Sequence, residues 1–239
     1  MILDTTELPF FPKYQIEQYY NKNLWIIWFE AKFSQSHYNI QNTNKSSNAC
    51  TLIVILLAGK CNKYDILLTN PVNSMVHLFA ISMLEGNKIY DTLKQKNILK
   101  HVNLNVPEAI SYGGSDISDI IEWKCLVFME QLSKSLYKNI KSNWKQWLRA
   151  DTRRHNNNLY VVLVADSRTV LFIIQFKTKT VVLIDSHLHS YTKGAFMAFT
   201  DISKLNYLCY WYSDILRKFY NSTPQLYELS FLYFLPYNN

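Results

Sequence analysis

The chain has 239 residues, of which 49% are hydrophobic, 15% aromatic and 18% charged. This composition excludes general disorder, and the low content of glycine (5) and proline (6) excludes a collagen-like or linker-like chain. The formal net charge of +7 indicates some attraction to acidic partners, but no dense run of lysine and arginine occurs, so we expect no nucleic-acid binding.

We expect a single domain over residues 1–239 in a reducing, intracellular compartment. The longest apolar run, residues 52–58, is far shorter than the roughly 18–20 residues of a membrane span, and the first residues lack the apolar stretch of a secretory signal. Four cysteines without a C-x-x-C pair are typical of free thiols. Any cysteine in an unusual setting is therefore a candidate for reactivity.

The first half of the chain predicts one strand followed by helices. Leu24–Phe29 is short, bulky and partly β-branched, which indicates a strand. After a polar loop, residues 50–58 are apolar on all sides, which fits a buried helix with Gly59 as its C-cap. Three further helices are predicted, one capped by Asn70 and Pro71 and ending at Gly86, one over residues 89–99 and one over residues 118–149.

The second half changes to the periodicity of strands. Three apolar strands, over residues 159–165, 170–176 and 181–185, are joined by turns of a few residues, which implies antiparallel hairpins. A helix over residues 201–219 and a last strand over residues 227–235 complete the order.

This order predicts an α+β fold in which a helical half packs on an antiparallel β-sheet. A cysteine stands at the start of the first helix. That layout is also the one found in papain-like cysteine proteases.

Cys50 is the candidate nucleophile. It lies between a polar loop and the start of an apolar helix, where unpaired N–H groups and a partial positive charge favour the thiolate over the thiol. Ser47 and Asn48 are natural capping residues just before it. A free thiol is only a few per cent ionised at pH 7, so a nearby imidazolium would add to this effect.

The candidate base and its orienting group come from the segment LIDSHLH. Because strand side chains alternate, Asp185, His187 and His189 are expected to share one face. Asp185 could then hold one ring nitrogen of His187 and leave the other for Cys50, which is the logic of a catalytic triad. The same segment leaves a metal site open as an alternative, although no distal ligand motif accompanies it.

An acyl-transfer site also needs donors for the oxyanion. The Cys50 N–H is one candidate, and a glutamine upstream of the nucleophile is the usual second. Gln35 and Gln41 are both available, and Gln35 is preferred because it directly follows the first predicted strand.

These segments resemble the tegument-like deubiquitinases, a family of herpesvirus tegument proteins and their cellular and mobile-element relatives. The resemblance rests on NACTLIVILLAG around Cys50 and on LIDSHLH, where Asp185 precedes His187 by two positions. Most other papain-like proteases place the orienting residue after the histidine. The resemblance implies Cys50 as nucleophile, His187 as base, Asp185 as orienting group and Gln35 as oxyanion donor. It also implies that Gly194 lets the segment after LIDSHLH pack closely, with an ordinary loop as the alternative.

The resemblance also implies a reaction and a partner. The reaction is hydrolysis after the C-terminal Gly-Gly of ubiquitin or polyubiquitin through a thioester. Apart from the resemblance, we expect a monomer that needs no cofactor or metal and does not bind membranes. Aromatic residues that would contact ubiquitin, with core packing as the alternative, are Trp144, Trp147 and Tyr160. Acidic residues that would meet its basic tail are Asp116, Asp119 and Glu122.

Three alternatives remain at this point. The first is an inactive relative that binds ubiquitin, and the second is a cysteine protease for another ubiquitin-like modifier. The third is a nucleic-acid-binding accessory domain, for which the sequence carries no recognisable motif.

Overall fold

The computed structural model describes residues 8–19, 23–39, 47–68, 73–150 and 158–235. Its helices are α1 (Cys50–Lys63), α2 (Asn73–Gln95), α3 (Val106–Tyr112), α4 (Leu132–Ala150) and α5 (Leu205–Tyr220). Its strands are β1 (Tyr14–Tyr19), β2 (Leu24–Phe29), β3 (Ile120–Phe128), β4 (Leu159–Ala165), β5 (Arg168–Gln175), β6 (Thr180–Asp185), β7 (Phe196–Asp201) and β8 (Tyr227–Phe234).

The strands of the described segments form one antiparallel sheet in the order β1-β2-β7-β6-β5-β4-β8-β3. The central strands β4, β5 and β6 follow each other as hairpins, as the short turns between them predict. Their residues are β-branched or bulky and almost wholly buried, which suits strands covered on both faces.

Helices cover both faces of the sheet. On one face, α1, α2 and α3 pack against strand residues such as Val162 and Ile184. On the other face, α4 and α5 pack against the residues in between, such as Val161 and Leu183. Helix α1 is buried from Cys50 through Cys61, which explains why its sequence is apolar on every side. The predicted α+β fold is confirmed. The structure has helices on both faces of the sheet, whereas the prediction places a helical half on one side.

Residues 118–149 do not form the helix that their spacing predicts. Ser115–Ile117 is a 3₁₀ turn, Ile120–Phe128 is strand β3, and α4 begins only at Leu132. The apolar residues of β3 also satisfy helical spacing, so periodicity does not separate the two structures. Pairing with β8, which lies far away in the sequence, decides in favour of the strand.

The two predicted helix stops at glycine are also wrong. Gly59 and Gly86 lie inside α1 and α2, where the helices approach their neighbours closely. A Cβ on Gly86 would lie 2.6 Å from the Ile53 side chain and 3.1 Å from its backbone nitrogen. Helix α2 therefore continues to Gln95 and contains most of the helix predicted over residues 89–99. Asn70 and Pro71, predicted to cap it, lie outside the described residues.

Three elements are absent from the sequence-based prediction: β1, β7 and α3. Strand β1 is an exposed edge strand that carries little apolar signal. Strand β7 follows the predicted close-packing segment at Gly194, where an added Cβ would overlap the carbonyl oxygens of Glu30 and Phe33. Helix α3 starts at a capping box in which Asn105 and Glu108 bond each other's backbone N–H.

None of the described helices combines the length and apolar character that crossing a membrane requires.

The close approach of α1 and α2 gives a stability prediction. We expect Gly86→Ala to lower the free energy of unfolding by about 1–3 kcal/mol, because the new methyl group overpacks the contact with Ile53. Urea denaturation followed by circular dichroism measures this change. An increase of about 1 kcal/mol, the gain that alanine brings at an unconstrained helix position, would contradict the close contact.

Candidate active site

Cys50 is the first residue of α1 and is 3% exposed. The residue before it, Ala49, occupies the N-cap position without a side-chain cap. Ser47 accepts a hydrogen bond from the Ala49 N–H and donates one to Asn87 of α2, so it fixes the approach to the helix rather than capping it. The thiol therefore lies at the positive end of a helix that is held rigidly by the core.

Asp185 is the last residue of β6, and His187 follows in the loop after it. The Asp185 Oδ1 atom lies 2.6 Å from His187 Nδ1 and accepts the His187 backbone N–H at 2.8 Å. The carboxylate thus holds both the ring and the backbone of the same residue. The Asp185 side chain is fully buried, and that of His187 is 13% exposed.

The Asp185–His187 contact changes the pKa of both groups. Burial opposes the charge of Asp185, but the positive charge of His187 and its hydrogen bonds to the carboxylate lower the pKa of Asp185 far below its usual range. Burial also opposes the charge of His187, yet the Asp185 carboxylate and Cys50 raise the pKa of His187 to about 10. His187 is therefore an imidazolium at neutral pH.

The Cys50 thiol lies close to His187 and to Thr169, the second residue of β5, and both influence its ionisation. Burial alone would raise the pKa of Cys50. The hydrogen bond and charge of His187, together with the hydroxyl and backbone of Thr169, lower it below its usual value. Two stretches that are distant in the sequence therefore meet and favour a thiolate–imidazolium pair.

Gln35 lies between the cysteine segment and the histidine segment. Its backbone N–H donates to the carbonyl oxygen of Ser186, which separates Asp185 from His187, and its side-chain oxygen accepts from the Ser186 hydroxyl. Its amide nitrogen donates to the carbonyl oxygen of Ser47, three residues before Cys50. Asn87 bonds the Gln35 carbonyl oxygen and so ties the same junction to α2. Gln41 lies outside the described residues.

His189 is the second histidine of the LIDSHLH segment, and its side chain is fully buried. Its Nε2 atom lies 3.4 Å from Asp185 Oδ2, while its Nδ1 atom is 2.8 Å from the carbonyl oxygen of Gly194. The two histidines and the aspartate lie together, but β6 ends at Asp185, so loop geometry rather than strand alternation groups them, and the carboxylate stands between the two rings. Within the described segments, no group of three potential ligands could hold a metal ion.

The aromatic and acidic residues expected to contact ubiquitin lie in the core or away from Cys50. Trp147 and Tyr160 are fully buried in the cores, and Trp144 packs against Phe176, so core packing accounts for all three. Asp116 forms salt bridges with Lys60 and Lys63 near the C-terminal end of α1, about 15 Å along the helix from Cys50. It is therefore neutralised at the opposite end of the helix from the thiol.

Sequence reasoning missed Thr169, Ser186 and Asn87 as parts of the site. Ser186 lies inside the motif that contains Asp185 and His187, so its position was visible, but nothing in the sequence indicates its bond to Gln35. Thr169 and Asn87 lie in elements without any motif. Only the folded arrangement brings them to the cysteine and glutamine segments.

Comparisons with known proteins give a fold but no family. No protein-family model matches the chain, and no curated protein matches its sequence. The structure is similar to the crystal structure of the ubiquitin-specific protease encoded by the murine cytomegalovirus tegument protein M48 in complex with a ubiquitin-based suicide substrate. The TM-score is 0.50 at 12% sequence identity, over 88% of this chain and 87% of that one. A second similar structure is the Pseudomonas avirulence protein AvrPphB, with a TM-score of 0.43 at 11% identity over 78% of this chain and 94% of that one.

The class that emerges is an α+β protein with the papain-like fold of cysteine proteases. The likeness to the viral protease, at this sequence identity, concerns the fold alone. The residues of the cysteine–histidine–aspartate cluster are a feature of this chain's own geometry.

The lowered pKa of Cys50 gives a test that needs no substrate. An acidic group with a lowered pKa keeps a larger ionised fraction as the pH falls, so Cys50 is expected to react with iodoacetamide faster at about pH 6 than an ordinary thiol does. In His187→Gln the imidazolium is lost while burial remains, so the rate at this pH should fall about 100-fold or more. Alkylation is followed by mass spectrometry as a function of pH.

The matched background for this measurement is Cys125→Ser. Cys125 is the exposed cysteine, while Cys61 and Cys209 are buried and burial raises their pKa values. Equal alkylation rates for the parent and His187→Gln at about pH 6 would contradict the thiolate–imidazolium pair.

Proposed function

We propose that this chain is a thiol-dependent deubiquitinase related to the tegument-like family, with one papain-like catalytic domain over residues 1–239. The observation that carries the proposal is the buried cluster in which Asp185 holds His187 against the Cys50 thiol at the start of α1. The papain-like fold and the Asp-first spacing of LIDSHLH support it.

The proposed reaction begins with the ionised sulfur of Cys50. The thiolate attacks the carbonyl carbon of the C-terminal glycine of ubiquitin, and the carbonyl oxygen becomes an oxyanion. His187, already protonated, gives its proton to the leaving amine as the C–N bond breaks, which leaves a thioester on Cys50. His187 then takes a proton from water, which attacks the thioester and releases ubiquitin with a free carboxylate.

Gln35 and the Cys50 N–H are the proposed oxyanion donors. The amide nitrogen of Gln35 carries two N–H groups, and its hydrogen bonds in the described part of the chain use one of them, to Ser47. The bonds to Ser186 and Ser47 fix the amide between the two segments that supply base and nucleophile. A donor held in advance costs no reorganisation when the oxyanion forms.

The proposed setting follows from the cysteines. All four are free, and a nucleophile that acts as a thiolate needs a reducing compartment to remain reduced. We therefore propose an intracellular enzyme. We further propose that it works as a monomer on ubiquitin or polyubiquitin, without a cofactor.

Covalent capture tests this function. We expect ubiquitin bearing a C-terminal electrophile to form an adduct with the wild-type chain and not with Cys50→Ala, whereas Cys125→Ser should react like the wild type because its thiol lies outside the cluster. Gel-shift and mass spectrometry measure the adduct and its site.

Two outcomes would replace the proposal by one of its alternatives. Binding of unmodified ubiquitin without any adduct would identify an inactive ubiquitin-binding relative. Adducts with the probe of another ubiquitin-like modifier, but not with that of ubiquitin, would identify a protease for that modifier.

The role of Gln35 gives a separate prediction. Gln35→Ala should lower kcat on a fluorogenic ubiquitin substrate by about 100-fold to 1000-fold, because one oxyanion donor is lost. Alkylation of Cys50 by iodoacetamide develops no oxyanion and should keep its rate at about pH 6. A parallel fall in both rates would instead assign Gln35 to holding the site together through Ser47 and Ser186.

A further inference from the structure

The Cys50–His187–Asp185 chemistry makes no use of His189, yet His189 is among the most enclosed polar side chains of the site. Its side chain is fully buried and lies on the side of Asp185 opposite to His187, since each histidine addresses a different carboxylate oxygen. A buried imidazole with two polar contacts has only a few protonation patterns that satisfy them.

The contact of His189 Nδ1 fixes one of its protons. The carbonyl oxygen of Gly194, at 2.8 Å, can only accept a hydrogen bond, so Nδ1 has to donate. That carbonyl is itself held in place, because the Gly194 N–H donates to Phe29 and the space around the Gly194 Cα is filled by the carbonyl oxygens of Glu30 and Phe33. The acceptor cannot turn away from the ring without moving the chain.

The contact of His189 Nε2 then leaves two orphaned atoms. Nε2 and Asp185 Oδ2 are 3.4 Å apart, and both are buried without a hydrogen-bond partner among the described residues. With a proton on Nδ1 alone, the Nε2 lone pair would face a carboxylate oxygen, and both atoms would be left unsatisfied at a substantial cost. A second proton, on Nε2, makes the ring a cation, and the 3.4 Å separation of Nε2 and Asp185 Oδ2 is then that of an ion pair rather than of two repelling lone pairs.

The surroundings of His189 suit a cation. Four aromatic rings enclose it with ring-centroid distances of 5.1–5.6 Å, which is within the range of cation–π contacts; the rings are Trp28, Phe196, Phe219 and Tyr220. Among the described residues, two anions and three cations contact this cage. The cations lie over its rings: Lys193 over Trp28 at 4.2 Å, Arg168 over Tyr220 at 3.7 Å and Lys218 over Phe219 at 5.4 Å. Of the two anions, Glu17 accepts the Trp28 indole N–H at 2.9 Å and pairs with Lys193, while Asp185 faces the orphaned nitrogen directly.

We propose that His189 is a positioning residue, protonated on both ring nitrogens, which holds Asp185 Oδ2 so that Oδ1 stays on the backbone and ring of His187. With one oxygen held by each histidine, the carboxylate cannot rotate about its own axis without breaking a contact at both ends. His189 thereby acts on Cys50 only through Asp185 and His187. The inference deepens the proposed function, since it concerns the same catalytic cluster.

Nuclear magnetic resonance of ¹⁵N-histidine-labelled protein tests the protonation pattern directly. At about pH 7 we expect the His189 ring to show protons on both nitrogens, assigned by the signals that disappear in His189→Phe. A ring protonated on Nδ1 alone would overturn the proposal. This measurement requires neither ubiquitin nor catalysis, so it stands whatever the outcome of the capture experiment.

Alkylation of Cys50 by iodoacetamide tests the positioning role. In the Cys125→Ser background, His189→Phe keeps an aromatic ring in the cage but removes both donors, and we expect the rate at about pH 6 to fall ~10-fold or more. The difference in alkylation rate between His189→Phe and the parent should become smaller as the pH approaches 10, because hydroxide then ionises the thiol without help from His187. A ring that served packing alone would leave this pH profile unchanged.

Two further variants complete the experiment. His189→Gln offers two amide N–H donors and should recover part of the rate lost in His189→Phe, whereas His77→Phe makes the same substitution in α2, about 15 Å along the helix from Asn87, and should behave like the parent. Equal rates for His189→Phe and the parent would overturn the proposal. Loss of ubiquitin capture with an intact alkylation profile would count against the proposed function and leave the positioning role in place.

Discussion

The contact between Asp185 and His187 is the interaction on which the rest of the site depends. A buried imidazole would ordinarily lose its proton, and a buried thiol would ordinarily keep its own. The Asp185 carboxylate keeps the proton on His187, and the resulting imidazolium favours loss of the proton from Cys50. The Asp185 carboxylate thus promotes ionisation of the sulfur through His187, and any change that loosens Asp185 acts on Cys50 although the two residues are distant in the sequence.

The sheet and the helices divide the work of holding this cluster. The sheet places Asp185 at the end of β6 and Thr169 at the start of β5, neighbouring strands that run antiparallel. Helix α1 brings Cys50 to the end of the sheet at which β6 ends and β5 begins. Gln35, Ser47, Ser186 and Asn87 then connect the loops with direct hydrogen bonds, so that the loop before the cysteine and the loop around the histidine are fixed to each other and to α2.

Local signals in the sequence were sufficient for the strands β2, β4, β5, β6 and β8, for the start of α1 and for the residues of the LIDSHLH segment. In each case the apolar residues of the sequence are the residues that the fold buries. Examples are the apolar run of β4 and the change from polar loop to apolar helix at Cys50. Elements whose structure depends on contacts with residues distant in the sequence could not be predicted from it. The spacing of the β3 residues predicts a helix, and only the pairing with β8 makes them a strand. Gly86 predicts the end of a helix, whereas the structure places it inside α2 because α1 lies against it.

The candidate site divides in the same way. Cys50, Asp185 and His187 each stand in a local setting that favours their chemistry, which is why they can be named from the sequence. The partners that tune them are defined only by three-dimensional contact. The sheet brings Thr169 close to the sulfur, and the bond between Gln35 and Ser186 joins residues that are 151 positions apart in the sequence.

The burial of α1 has a consequence for how the site fails. The helix that carries Cys50 is surrounded by core on all sides, and even Lys60 within it is enclosed and neutralised by Glu85 and Asp116. Amide groups of such a segment exchange with solvent chiefly through cooperative unfolding of the whole domain rather than through local fraying. Heat inactivation should therefore coincide with the melting of the domain, and no partly open form with a displaced nucleophile is expected to accumulate below that temperature.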